Sequence, residues 1–229
     1  KQLKSERLKT ELITNVSHDI KTPLTSIINY VDLLGKEKPE NEKMREYIDV
    51  LQRQSARLKK LIDDLLEASK ASTGNLTVNA EPCDVGVLLD QTLGEYGEKL
   101  NAAGLEPVLT KPEKPVIIMA DGRHMWRIFD NLLNNICKYS QRGTRVYLEV
   151  CERDGKAVVT FRNISSRQLN ISSDELMERF VRGDSSRNTE GSGLGLNIAQ
   201  SLAQLQKGAM ELTVDGDLFK VTLTFDVVK

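Results

Sequence analysis

This 229-residue sequence has no closely spaced pair of cysteines and no marked excess of positive or negative charge. Its three cysteines, Cys83, Cys137 and Cys151, lie far apart. An odd, scattered set favours buried free thiols in a reducing compartment over a disulfide framework or a zinc site. Lysine and arginine number 32 against 33 aspartates and glutamates. With no overall field of one sign, the sequence predicts neither a nucleic-acid partner nor binding to an anionic membrane surface.

Long apolar runs are missing as well. No stretch approaches the roughly 20 residues that a membrane-spanning helix needs, and no signal peptide opens the chain. Residues 1–15 instead form a charged helical pattern that lacks a helix start signal. We therefore expect a cytoplasmic fragment whose parent protein is anchored in a membrane through a missing N-terminal region.

Apolar residues at helical spacing predict two long helices in the first third of the chain. The first carries them every three or four residues from Leu8 to Leu34, and the second alternates in steps of four and three from Met44 to Leu65. Between them, Gly35, Pro39 and Asn41 supply a helix stop, a proline and an N-cap. The pattern predicts an antiparallel hairpin. Because two helices alone leave apolar seams exposed, we expect a homodimer that forms a four-helix bundle.

Beyond residue 74 the pattern changes to short strands mixed with helices. Asp154-Gly155 and Asp215-Gly216 are typical of hairpin turns. The fold class is therefore α+β, with a helical hairpin over residues 1–73 and an α/β sandwich over residues 74–229. The polar stretch 164–192 is long enough to be a functional lid. Strands are predicted at 76–78, 116–119, 145–151, 157–161, 210–214 and 219–227, and helices at 85–103, 123–139 and 196–206.

His18 lies opposite the apolar stripe of the first helix, where it would face solvent. Asp19 is adjacent, and Thr22 follows one turn later on the same face. Pro23 then interrupts the helix at a cost of about 3 kcal/mol, which predicts a local bend beside the histidine. An exposed histidine can be a tolerated surface residue. Beside a carboxylate that accepts its ring proton, however, it is a plausible nucleophile.

Residues 17–24, SHDIKTPL, closely resemble the H-box of sensor histidine kinases. The resemblance implies a phosphoacceptor at His18 and a general base at Asp19. It also implies that Thr22 positions a water for dephosphorylating the partner, which in this family is the receiver domain of a response regulator.

A second motif lies on the predicted helix 123–139. Asn131, Asn135 and Lys138 group on one flank of its apolar face. A solvated polar edge would explain them, but asparagine is a poor helix former, and amide oxygens suit Mg²⁺ as lysine suits phosphate. Residues 131–140, NLLNNICKYS, resemble the N-box of the gyrase/Hsp90/histidine kinase/MutL ATPases. That resemblance implies an ATP site in which Asn135 coordinates Mg²⁺, Lys138 meets phosphate, and Asn131 and Tyr139 line the pocket.

A glycine-rich segment follows and opens an apolar helix. Gly191, Gly193 and Gly195 would let the backbone approach a phosphate at the helix N-terminus, although a glycine trio can also be a linker. The segment resembles the G2-box of the family, and residues 178–184, ERFVRGD, resemble its F-box. By that resemblance Phe180 would seat the lid. Arg182 could either reach the γ-phosphate or be an ordinary surface charge.

One motif departs from the family. Where the family has Asp-x-Gly-x-Gly after a strand, this chain has Asn163 and neither glycine. An amide still offers an acceptor oxygen but carries no charge, so the departure puts ATP affinity and adenine selectivity in question.

The four motifs, in the family's order, predict an ATP-dependent protein histidine autokinase that passes phosphate from His18 to a response regulator. A pseudokinase scaffold or phosphatase that binds nucleotide poorly is the first alternative. A conformational ATPase is disfavoured because Asn131 stands where that branch has an acidic residue. A coiled-coil adaptor would explain neither the glycines nor the asparagines.

Overall fold

The computed structural model describes residues 20–37, 41–72, 75–169 and 193–228. The chain divides between Asn75 and Leu76 into two compact units. The first contains two helices, α1, described over residues 20–36, and α2, Glu42–Ser72. Across the described residues of both units, helices long and apolar enough to span a bilayer are absent.

Asn41 starts α2 as the sequence predicts. Its side-chain oxygen accepts a hydrogen bond from the backbone N–H of Met44 at 3.3 Å, which satisfies one of the donors left free in the first helical turn. Leu24 and Val31 of α1 are buried, as are Ile48, Ser55 and Ile62 of α2. The predicted helical pair is therefore present in the described residues.

The other half of each apolar pattern is exposed. These side chains recur every seven residues along each helix, between the buried positions, and each is more than 40% exposed. We call this set the exposed seam: Ile20, Ile27 and Leu34 of α1 with Met44, Leu51 and Leu58 of α2.

The second unit is a sheet covered by helices. A five-stranded sheet has the order β2-β4-β5-β7-β6, in which β2 runs parallel to β4 and the other neighbours are antiparallel. A two-stranded sheet pairs β1 with β3. The strands are β1 Glu81–Asp84, β2 Glu106–Thr110, β3 Ile117–Ala120, β4 Arg145–Arg153, β5 Lys156–Ile164, β6 Ala209–Asp215 and β7 Leu218–Asp226. The helices are α3 Val85–Glu95, α4 Gly97–Ala102, α5 Gly122–Tyr139 and α6 Gly195–Leu205.

One face of the large sheet forms the core. Every second residue of β4, β5 and β7 is buried, as a sheet covered on one side requires. Helix α5 contacts both α3 and α6, and the Phe129 ring of α5 lies 5.7 Å from that of Phe161 on β5. The predicted α+β class and its sandwich are confirmed.

Both predicted hairpins are present. Asp154 and Gly155 both have positive φ, 52° and 72°, as a two-residue turn between β4 and β5 needs. The β6–β7 turn uses Gly216 and Asp217, one residue later than predicted.

The strand predicted at 76–78 is wrong. Backbone groups here bond to side chains instead of to a neighbouring strand: the Thr77 carbonyl lies 3.1 Å from Nε2 of His124, and the Asn79 N–H donates to Oδ2 of Asp121 at 3.0 Å. The pairing strand, β1, begins only at Glu81.

The helix predicted at 85–103 is two helices that break at Tyr96. Gly94 and Gly97 flank the break and weaken the helix, while the buried Tyr96 hydroxyl donates to Oδ1 of Asp130 at 2.5 Å. The sequence did not predict strand β2, because Pro107 disfavours a strand inside a sheet. Proline is tolerated in an edge strand, and β2 lies at the edge of the large sheet.

The three cysteines are free, as predicted, but each is half-buried rather than fully buried. Burial raises the pKa of the Cys83 and Cys137 thiols, and Asp84 adds to the effect at Cys83.

Candidate nucleotide site

The site is built around α5. The carboxylate of Asp121, the N-cap, accepts a hydrogen bond from the Arg123 N–H at 3.0 Å. The helix buries one face against the sheet and turns a row of half-buried asparagines, Asn131, Asn134 and Asn135, to one flank. Asn131 and Asn135 are one turn apart and so share this flank. Lys138, near the end of the helix, is exposed.

Asn131 approaches the first residue of α6. Its Nδ2 donates to the Arg127 carbonyl at 2.9 Å, which fixes the amide. A Cβ atom on Gly195 would lie only 3.2 Å from Oδ1 of Asn131. The two predicted site residues are therefore in close contact, and the absence of a side chain at position 195 permits it.

The glycine segment leads into a helix N-terminus. Gly193 has φ of 72°, a conformation that glycine adopts without strain. Leu194 occupies the N-cap position and makes no side-chain cap hydrogen bond. The first turn of α6 therefore lacks a side-chain acceptor from its N-cap, and its N–H groups can serve an anion.

Asn163 lies on the buried face of β5. It is 3% exposed and stands in the same alternating row as Phe161 and Ser165, which points it towards the helical layer. Its Oδ1 is fully buried, and across the described residues it has no hydrogen-bond partner. Leaving such an acceptor unpaired costs about 1–3 kcal/mol, so the position favours a ligand that donates to it.

Backbone hydrogen bonds hold the end of β5 against the end of α5. The Gln141 N–H donates to the Ile164 carbonyl, and the Ser166 N–H donates to the Tyr139 carbonyl, both at 2.8 Å. Ser140 and Ser165 form an isolated β-bridge between them. Tyr139 and Asn163 therefore lie at the same end of the sandwich.

The structure brings together part of the predicted site. Asn131, Asn135, Tyr139 and Lys138 follow one another along α5, with Gly195 against the helix and Asn163 at the strand that meets its end. Gly193 lies two residues before the start of α6. Thr22 lies exposed on α1 in the other unit. His18, Asp19, Arg182 and Gly191 lie outside the described residues, as does most of the predicted lid.

Sequence reasoning missed two polar residues, one at the end of α5 and one in the first turn of α6. The Oγ of Ser140 and the Oδ1 of Asn197 are buried, and neither has a hydrogen-bond partner among the described residues. Ser140 ends the Asn-rich motif, and Asn197 falls in the first turn after the glycines. Their positions were visible in the sequence, but burial was the signal that distinguishes them, and burial depends on packing.

The site's described side chains suit a nucleotide and its metal. The unpaired amide oxygen of Asn163 fits a base that donates, and the Gly195 backbone fits a close phosphate. Among the described residues, no cluster of three or more His, Cys, Asp or Glu could hold a metal ion. A single amide oxygen, such as that of Asn135, matches a Mg²⁺ ion that takes its remaining ligands from phosphates and water.

Comparison with protein families gives two matches in chain order. Residues 8–74 match the His Kinase A (phospho-acceptor) domain. Residues 120–229 match the Histidine kinase-, DNA gyrase B-, and HSP90-like ATPase family.

Relatives agree with both matches. The sensor protein VanSC of Enterococcus gallinarum is 32% identical over 204 residues, covering 86% of this chain and 55% of the relative. The sensor protein kinase WalK of Staphylococcus aureus is 27% identical over 237 aligned residues, covering 100% of this chain and 56% of the relative. The chain therefore spans about half the length of these curated relatives.

Solved structures show the same fold. Full-length ShkA, crystallised with AMPPNP, has a TM-score of 0.80 at 22% identity, over 96% of this chain and 46% of that one. The histidine kinase AdeS of Acinetobacter baumannii has a TM-score of 0.62 at 18% identity, over 93% and 98% of the two chains. With both family domains in the expected order, this chain belongs to the two-component sensor histidine kinases.

Proposed function

We propose that this chain is the autokinase region of its parent protein, which transfers the γ-phosphoryl group of ATP to His18. The observation that carries the proposal is the buried, unpaired Oδ1 of Asn163 at the end of the sandwich where α5 also presents its row of asparagines. An unsatisfied acceptor beside phosphate-binding geometry favours a nucleotide over a purely structural role.

The nucleotide would be held at three places. The base would donate to Asn163, with Tyr139 lining the pocket at the same end. The phosphates would meet Lys138 and the backbone of the segment Gly191, Gly193 and Gly195 at the start of α6. Asn131 would line the pocket where it contacts Gly195.

Asn135 would hold the Mg²⁺ ion through its amide oxygen, together with phosphate oxygens and water. When bound, the ion would neutralise charge on the phosphates. Arg182 would add a bidentate donor to the γ-phosphate.

In the reaction, a ring nitrogen of His18 attacks the γ-phosphorus, a nitrogen–phosphorus bond forms, and ADP leaves. Asp19 accepts the proton that the imidazole must lose. The phosphoryl group then passes to an aspartate in the receiver domain of a response regulator.

Thr22 would serve the dephosphorylation of the partner by orienting a water for attack on the phosphoaspartate, which breaks the acyl phosphate bond and releases inorganic phosphate. Its side chain is exposed on α1, one turn after His18 in the sequence, so it is accessible to a partner. Nearby, Lys21 forms a 2.8 Å ion pair with Asp63 of α2, which links the two helices at this level.

A homodimer would cover the exposed seam. Six large apolar side chains at heptad spacing are more than an isolated hairpin is expected to leave in water. Pairing two hairpins through these side chains gives a four-helix bundle.

Incubation with γ-labelled ATP tests the proposal. We expect acid-labile label on the protein, lost to background in His18→Gln, because glutamine has no nucleophilic ring nitrogen. The matched control is His124→Gln at the chain's other histidine, where an amide can still donate to the Thr77 carbonyl. That variant should retain the label.

Three outcomes would contradict the proposal. Acid-labile label that persists in His18→Gln would mean another acceptor. Release of free phosphate without label on the protein would indicate a conformational ATPase. If the folded dimer gives neither labelled protein nor free phosphate, the chain is a scaffold.

A further inference from the structure

Asn163 places a neutral amide where the base is expected. The amide carries an acceptor oxygen and a donor NH₂ group on one plane, and a half-turn of its terminal torsion exchanges the two without a change of volume. The exchange leaves existing contacts undisturbed, because in the described part of the chain the buried Oδ1 accepts no hydrogen bond. Neither orientation therefore breaks a hydrogen bond that the described residues make to Oδ1.

Two further buried polar side chains, at the end of α5 and in the first turn of α6, are also neutral. Ser140 and Asn197 each carry a buried oxygen without a hydrogen-bond partner in the described residues. The Ser165 hydroxyl donates to the Arg167 carbonyl at 2.7 Å and so is already engaged.

The charged neighbour of Asn163 on β5 is engaged elsewhere. Arg162 alternates to the opposite face of the strand, where its Nη2 donates to Glu149 at 3.0 Å and its guanidinium lies 5.8 Å from the Tyr147 ring centroid. Among the described residues, the charged side chain next to Asn163 on its own strand therefore does not face the base.

Purine bases present opposite patterns to such an amide. Adenine offers an amino donor at position 6 and an acceptor at N1, which suit an amide with its oxygen towards the amino group. Guanine offers an acceptor at O6 and a donor at N1, which suit the flipped amide. A carboxylate could accept from adenine but would face O6 of guanine with a second acceptor.

We propose that Asn163 reads the purine through either orientation of its amide, so that the site binds guanine as well as adenine nucleoside triphosphates. The inference rests on the proposed function, because it assumes that the triphosphate occupies this site. It makes Asn163 the residue that sets base specificity.

Calorimetric binding of Mg·ATP, Mg·GTP and Mg·ITP to the full chain tests it. Inosine triphosphate keeps O6 and the N1 donor but lacks the 2-amino group, so it isolates the edge that Asn163 would meet. We expect the three dissociation constants to agree within about tenfold. In Asn163→Asp, GTP and ITP should weaken by about tenfold or more, because a buried acceptor then faces O6, whereas ATP binding should be retained or tightened.

The matched control is Asn101→Asp, which makes the same change of charge at an exposed position in α4 and should leave all three constants unchanged. Tight ATP binding with rejection of GTP and ITP by the unaltered chain would overturn the inference and leave the proposed function standing. An Asn163→Asp variant whose ratio of GTP to ATP dissociation constants is unchanged would also overturn the inference and leave the proposed function standing. Binding of none of the three nucleotides by the folded chain would overturn the proposed function and the inference with it. The comparison in the unaltered chain decides the question even if the variant fails to fold.

Discussion

Asp121 is the residue with the densest set of hydrogen bonds at the start of α5. Its carboxylate accepts from the Asn79 N–H and from both the backbone and the guanidinium of Arg123. Its own N–H donates to Oε1 of Gln206 at 2.7 Å. Through its side chain and its backbone N–H, Asp121 thus connects the segment after residue 75, the N-terminus of α5 and the residue that follows α6.

The arginine beside Asp121 holds the pKa of its carboxyl well below the usual range, and the Asn79 N–H acts in the same direction. A depressed pKa in the folded state means that the charged carboxylate stabilises the fold at neutral pH. That contribution is complete above the unfolded pKa of about 3.9 and is lost as pH falls below it towards the folded value.

We predict that Asp121→Asn lowers the free energy of unfolding at pH 7. Between pH 5 and pH 3, the variant should lose less of its free energy of unfolding than the unaltered chain does. The difference from the unaltered chain should therefore shrink as pH falls. Urea unfolding followed by fluorescence of Trp126, the single tryptophan, measures this in the sandwich unit. The control is Asp215→Asn at an exposed position. A difference that grows on acidification would contradict the sign of the argument.

At the scale of elements, α6 ends in a compact cap. Lys207 has a positive φ of 63°, and the Gly208 N–H bonds back to the Ala203 carbonyl at 2.8 Å, a common way to finish a helix. The chain then enters β6 directly beside the buried ring of Phe225 on β7. A Cβ atom on Gly208 would lie 2.2 Å from Cε1 of that ring, so glycine is required by close approach.

We predict that Gly208→Ala destabilises the sandwich unit by about 1–3 kcal/mol, because the buried ring must move to admit the methyl group. Gly94→Ala is the matched control. Gly94 is exposed in α3, and no atom lies within 4 Å of its added Cβ. This control should be neutral or stabilising by up to about 1 kcal/mol. Equal effects of the two alanines in urea unfolding would show that the Phe225 contact does not matter.

At the scale of the whole molecule, the exposed seam is the surface through which we propose that two hairpins pair. Along α2, buried Ile48, Ser55 and Ile62 alternate with exposed Met44, Leu51 and Leu58. The first set is buried inside the hairpin, and the second is the set that the proposed dimer would bury.

We predict that Leu51→Glu converts the dimer into a monomer at micromolar concentration, because a carboxylate would be buried without a partner. Ala56→Glu is the control. It is exposed on the same helix but lies about 140° away from Leu51 around the axis, and it should leave the dimer intact. Sedimentation equilibrium measures both. If the Leu51→Glu chain remains a dimer, or if Ala56→Glu dissociates the dimer equally, the interface lies elsewhere.

The sequence by itself determined the features that depend on local periodicity. Heptad spacing defined the hairpin, Asn41 marked the start of α2, and the asparagines of α5 share a flank because residues one turn apart on a helix share a face. The motifs around His18, Asn131 and Gly195 identified the family for the same reason, since each is a short segment on one element.

Only the tertiary structure decided the features that join distant residues. Tyr96, at the break between α3 and α4, donates to Asp130, 34 positions later, and the backbone N–H of Asp121 donates to Gln206, 85 positions later. The strand expected at 76–78 does not form, because side chains of α5 and of its N-cap form hydrogen bonds with the backbone of this segment. The unpaired oxygen of Asn163 likewise follows from burial beneath the helical layer. Burial and partner are properties of packing, and a linear pattern of residue types does not contain them.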